Sequence, residues 1–115
     1  MHGICHVEIP AHDLARVRKF YTEVFAWDTH AMDDNYALFK TPEGPGGGFS
    51  TYQKPVENPG YNFYIEVADI PGALEKVKAS GGEVVKEKTE ISPDHGYMAF
   101  IKDCEGNMVG LWSKS

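Results

Sequence analysis

The second half of this chain reruns the first, and that repeat limits the folds open to it more than any other feature. Sliding the sequence by 56 positions sets His6 on Asn62, Glu8 on Tyr64, Asp13 on Asp69, Leu14 on Ile70 and Val17 on Ala73. Later the offset becomes 62, with Glu43-Gly44 on Glu105-Gly106, Gly48 on Gly110 and Phe49 on Leu111. A fixed offset broken once by an insertion marks a duplicated unit whose extra residues lie in loops.

Each unit reads as strand, helix, strand, strand, strand. In the first, His6-Val7-Glu8-Ile9 alternates polar and apolar residues up to Pro10, the pattern of a strand with one face on a core. Asp13 then stands as N-cap before Leu14, Val17, Phe20, Tyr21, Val24 and Phe25, an apolar stripe at helical spacing. Trp27, a loop containing His30 and an acidic turn at Asp33-Asp34-Asn35 lead to the aromatic-rich strand Tyr36–Lys40. A turn over 41–44 precedes the glycine-rich strand 46–52, whose backbone must bend or approach a neighbour closely.

In the second unit, residues 62–67 alternate like the first strand, and Ile70, Ala73, Leu74 and Val77 form a helical stripe closed by Gly81-Gly82. Strands follow at 83–88, 97–101 and 107–112, separated by turns at 92–96 and 103–106. The 115 residues suit one domain, 1–115, organised as module one 1–54, a Pro/Asn/Gly-rich linker 55–60 and module two 61–115. The expected class is α+β: two βαβββ modules in tandem, their curved mixed sheets set around a common concavity.

Charge narrows the partners. Eleven basic against seventeen acidic residues give a net charge of -6, which repels a polyphosphate backbone, so nucleic acid is not an expected partner. No apolar run approaches the roughly 20 residues of a membrane span, and the start MHGICHVEIP has no basic or apolar leader pattern, so a cytoplasmic location is expected. Cys5 and Cys104 have no CxxC or Cys/His spacing and fit neither a disulfide framework nor a zinc site; both are expected to be buried or semi-buried thiols. Gly46 to Gly48 lacks the GK[ST] context of a phosphate cradle.

Four segments together carry a family resemblance: HVEIPAHDLARVRKFYTEVFAWD, GGGF, YIEVADIPGALEKVKASGGEVV and DCEGNMVGLW. They resemble the vicinal oxygen chelate superfamily, which holds glyoxalase I, bleomycin-resistance proteins and extradiol-type dioxygenases. The resemblance implies βαβββ modules around a ligand cleft and a homodimer. It also implies, in metal-using members, four cation ligands on the first and last strands of each module. Carried onto this sequence those positions are His6, Gly48, Asn62 and Gly110, and only His6 is a good donor. Asn62 offers a carbonyl oxygen and Glu8, two residues from His6, a carboxylate; glycine has no donor atom.

The expected function is therefore a small polar molecule held in the cleft beside a degenerate metal site. His6 and Glu8 are the candidate catalytic pair, and His6 is the one remaining metal ligand. The resemblance puts Gly48 and Gly110 on the cleft, and the period of two adds Asn62, Tyr64 and Glu66 on one face and Met108 and Trp112 on the face of Gly110 as the other candidate cleft residues. The two glycines either leave room for a ligand or allow strand curvature and close packing. No cofactor is expected. The alternative is a metal-dependent lyase, isomerase or dioxygenase using His6 and Glu8 on a small oxygenated carbonyl compound; a third is a non-catalytic interaction module. His2 and His12 are expected to be exposed, and His95 to be a solvated turn residue.

Overall fold

Asp13 starts the first helix: its backbone is extended, and its carboxylate accepts from the Arg16 amide at 3.1 Å, filling a donor that the first turn leaves open. Helix α1 (Leu14–Phe25) ends at Ala26, left-handed at φ 59°, whose N–H returns to the Thr22 carbonyl. Its stripe of Val17, Phe20, Tyr21 and Val24 is buried. The computed structural model describes residues 1–56 and 60–115 and divides into two units, Met1–Pro55 and Val56–Ser115. Residues 57–59, the middle of the linker expected at 55–60, lie outside the described residues.

In the first unit, strands β1 (Val7–Pro10), β2 (Asp28–Ala31), β3 (Tyr36–Lys40) and β4 (Gly47–Ser50) form one sheet in the order β1-β4-β3-β2. Strand β1 runs parallel to β4, and the other neighbours are antiparallel. The second unit repeats this. Strand β5 (Tyr64–Glu66), helix α2 (Ile70–Ala79) and strands β6 (Glu83–Ser92), β7 (Gly96–Lys102) and β8 (Met108–Ser113) give a sheet ordered β5-β8-β7-β6, with β5 parallel to β8.

The repeat holds down to register. Glu8 faces Gly48 as Tyr64 faces Gly110; Ile9 faces Phe49 as Ile65 faces Leu111; Leu38 faces Gly48 as Phe100 faces Gly110. Because side chains alternate across a strand, equal register gives both units the same division into a helix-covered face and an opposite face. The fold is thus α+β with two βαβββ units, as the repeat implies.

Each unit has its own core. Under α1 the rings stack: Tyr21 on Trp27 at 4.7 Å, Trp27 on Phe39 at 4.6 Å and Phe39 against Phe49 at 4.9 Å between centroids. Under α2 the buried residues are aliphatic, with Ile70, Leu74 and Val77 on Ile101, Val109 and Leu111. Each such side chain contributes about 1.5–3 kcal/mol by leaving water. The turns before β4 and β8 also correspond. Buried Asp103 accepts from the Glu105 amide at 2.8 Å and the Asn107 amide at 3.0 Å, while Thr41 donates to the Glu43 carbonyl; Gly44 and Gly106 follow at φ 85° and 90°.

Four local expectations change. His30 lies in strand β2, not a loop: Asp28–Ala31 pairs with β3 as an edge strand, and an edge strand of polar DTHA has no alternation to betray it. Cys5 is exposed rather than buried, because it precedes β1 and packs under no helix, whereas Cys104 is partly buried. His6 and Asn62 stand just before their strands rather than within them, and β6 runs on to Ser92 through register shifts. Among the described residues no helix is long and apolar enough to cross a membrane.

Candidate functional site

The first unit's sheet buries Ile9, Ala37, Phe39 and Phe49 beneath α1, so the alternate residues Glu8, Tyr36, Leu38 and Gly48 share the opposite face. Gly48 sits between Glu8 on β1 and Leu38 on β3, and Tyr36 is one side chain further along β3 on the same face. With no side chain on Gly48, the Tyr36 ring lies across the middle strand. A Cβ on Gly48 would overlap the Tyr36 hydroxyl.

The phenol therefore reaches the two residues of the candidate pair. His6 Nε2 lies 2.8 Å from Tyr36 Oη, and Tyr36 Oη donates to Glu8 Oε2 at 3.0 Å. His6 Nε2 and Glu8 Oε2 are 3.7 Å apart, each side chain 42% exposed. Desolvation first, then the hydrogen bond to Glu8 and its negative charge, push the Tyr36 phenol above its ordinary 10.0. It stays protonated and donating at neutral pH.

The second unit places Tyr64 beside Gly110 and Glu66 beside Trp112, with Phe100 and Met98 across on β7 and Lys102 facing Met108. Tyr64 covers Gly110, where a Cβ would overlap its ring, and its ring centroid is 5.7 Å from that of Phe100. Trp112 is anchored by its indole N–H, which donates to the His95 carbonyl at 2.7 Å. His95 is exposed, its Nδ1 2.7 Å from Ser92 Oγ; His2 and His12 are exposed as well. An open groove of about 760 Å³ within this unit is lined by Asn62, Phe100, Met108, Lys86, Lys102 and Glu83. Its size is within the range of small-molecule sites.

Of the residues named from sequence, His6, Glu8 and Gly48 thus meet in one constellation. Asn62, Tyr64, Glu66, Met108, Gly110 and Trp112 belong to the corresponding part of the second unit, and Asn62 and Met108 line its groove. Sequence reading missed Tyr36. The available signal was the period of two in Tyr36–Lys40, which turns Tyr36 away from buried Ala37 and Phe39.

These residues do not fit a four-ligand cation site. Gly48 and Gly110 lack donor atoms, and the space a ligand's Cβ would take is filled by Tyr36 and Tyr64. Among the described residues no group of three or more His, Cys, Asp or Glu is placed to hold an ion.

Comparison with known proteins agrees with this frame. The family model of the Glyoxalase/Bleomycin resistance protein/Dioxygenase superfamily matches residues 3–111. The chain is 30% identical over 123 residues to a glyoxylase-like domain-containing protein of Didymella fabae, covering 99% of this chain and 96% of that one. It is 32% identical over 125 residues to CFP32 of Mycobacterium bovis, covering 92% of this chain and spanning 43% of CFP32. Among solved structures, the fosfomycin resistance protein FosX of Listeria monocytogenes, complexed with Mn(II) and sulfate, superposes with a TM-score of 0.80 at 16% identity, over 100% of this chain and 92% of that one.

Proposed function

Because the chain belongs to the Glyoxalase/Bleomycin resistance protein/Dioxygenase superfamily, we propose that it binds a small, oxygen-rich polar molecule on the helix-free face of module one, and does so without the superfamily's four-ligand cation. The observation that carries this reading is the half-exposed cluster of His6, Tyr36 and Glu8 over Gly48. An imidazole, a phenol and a carboxylate held together supply donors and acceptors at fixed spacing, and a ligand hydroxyl or carbonyl can replace the water on their exposed sides. Module two, taken by itself, carries an apolar set of Tyr64, Phe100 and Met108 on its own helix-free face. The superfamily resemblance supports a homodimer, which light scattering checks.

Two probes serve here: dihydroxyacetone, a small oxygen-rich carbonyl compound, and fosfomycin, the compound in the name of the similar Listeria monocytogenes protein. Thermal melts of chelator-treated protein with each probe test the proposal. A probe at ten times its dissociation constant raises the melting temperature by about 5 °C, and His6→Ala with Glu8→Ala removes the rise. No rise with either probe, or a rise untouched by the double substitution, contradicts it.

A further inference from the structure

An irregularity in strand β6 decides which side chain stands beside the open groove of module two. Val84 pairs with Ile101, so a regular antiparallel ladder would set Val85 opposite Phe100; instead the register shifts, and Lys86 takes that place. Residues directly opposite in such a pair share a face, and Phe100 in turn faces Gly110, away from buried Ala99 and Ile101. The bulge therefore turns a lysine, not a valine, to the helix-free side. Two residues along β7, Lys102 stands between Glu83 on β6 and Met108 on β8.

Lys86 and Lys102 are thus diagonal neighbours on adjoining strands, about 7–8 Å apart, a span that two flexible four-carbon stems close easily. Their ammonium groups can meet over the Phe100 ring. Among the described residues Lys86 has no ion-pair partner, whereas Lys78 is paired with Glu75 and Lys88 lies over the Tyr97 ring. Two lysines against the single carboxylate of Glu83 give the groove a cationic rim in a chain of net charge -6. Its floor is apolar, with Phe100 and Met108 half-buried and the Tyr64 ring 5.7 Å from that of Phe100.

We propose that this groove of about 760 Å³ binds a small carboxylate that carries an apolar body. The ammonium groups of Lys86 and Lys102 take the carboxylate, and Phe100 and Met108 take the body. This stands on module two alone and goes beyond the reading of module one. An exposed ammonium by itself holds an anion weakly in water, and an apolar slot by itself does not choose its ligand's charge, so the site needs both parts of the ligand at once.

Titration of the full chain, chelator-treated and at low ionic strength, with three probes tests this. Benzoate has the charge and the body, benzamide the body alone and acetate the charge alone. The readout is the Met108 methyl signal in ¹H–¹³C NMR spectra, assigned with Met108→Leu. Benzoate moves that signal and binds about tenfold tighter than either benzamide or acetate. Lys86→Gln weakens benzoate about tenfold, to the level of benzamide, Lys86→Arg restores most of the loss, and Phe100→Leu weakens both ring compounds.

Benzamide that binds as tightly as benzoate, a benzoate affinity indifferent to Lys86→Gln, or a Met108 signal unmoved by about 20 mM benzoate overturns the proposal. The melts with dihydroxyacetone and fosfomycin, read through His6→Ala with Glu8→Ala, report on module one, so the failure of one reading is told apart from the failure of the other.

Discussion

The two units share strand order, register and even the bare position on the central strand, yet they treat that position differently. In module one the tyrosine over Gly48 comes from β3 and ends in a hydrogen-bonded cluster with His6 and Glu8. In module two the tyrosine over Gly110 comes from β5 and ends against Phe100. The residue matching Tyr36 in the second ladder is Met98, since Tyr36 faces Ser50 as Met98 faces Trp112. The cores diverge too, stacked rings in one and branched aliphatics in the other. A duplicated backbone frame fixes which side chains share a face, and leaves the chemistry of each face free to drift.

Paired substitutions probe this difference. The largest effect is expected in the cores: Phe49→Ala costs about 4 kcal/mol and its counterpart Leu111→Ala about 3 kcal/mol by denaturant unfolding, because the aromatic slot leaves the larger hole. Equal costs would mean that module one relaxes around its cavity. Next is Gly47→Ala, where the new Cβ overlaps the Val7 carbonyl oxygen, a backbone atom that cannot swing away. It should cost about 3 kcal/mol. The corresponding position, Val109, already carries a buried branched side chain, so close approach of the outer strand is peculiar to module one.

Helix starts give a smaller contrast. Asp13 caps α1 through the Arg16 amide, whereas Asp69 makes no side-chain cap bond to α2. Asp13→Ala should cost about 1 kcal/mol and Asp69→Ala much less. The smallest effect is with pH. The Tyr36 pKa is raised in the folded chain, so its contribution to stability is complete below pH 10 and declines as pH climbs through the folded value. The stability difference between wild type and Tyr36→Phe should therefore shrink only above pH 10, and a difference constant to pH 11.5 would contradict the Glu8 contact.

Much of this frame was legible in the sequence. The offsets of 56 and 62 reappear as matching ladder pairs, and the two helical stripes and the Asp13 cap are where periodicity puts them. Strand β2 was not legible, because a polar edge strand has neither alternation nor aromatic content to mark it. The site was half legible. His6 and Glu8 are two residues apart, the first just before β1 and the second in it, and the period of two points them to one side, but Tyr36 joins them only through the β3–β4 register, a long-range pairing that no local pattern specifies. The glycines posed two readings, room for a ligand or close packing. In both units the space over the bare backbone is taken by a tyrosine ring.

Under the proposed function, the tyrosine-bridged pair of His6 and Glu8 takes the place of a bound cation in module one. Calorimetric titration of chelator-treated protein with Ni²⁺ and Zn²⁺ tests it most directly. The account predicts no stoichiometric uptake tighter than about micromolar, with His6→Ala indistinguishable from wild type. One tightly held ion per chain, lost in His6→Ala, would contradict it.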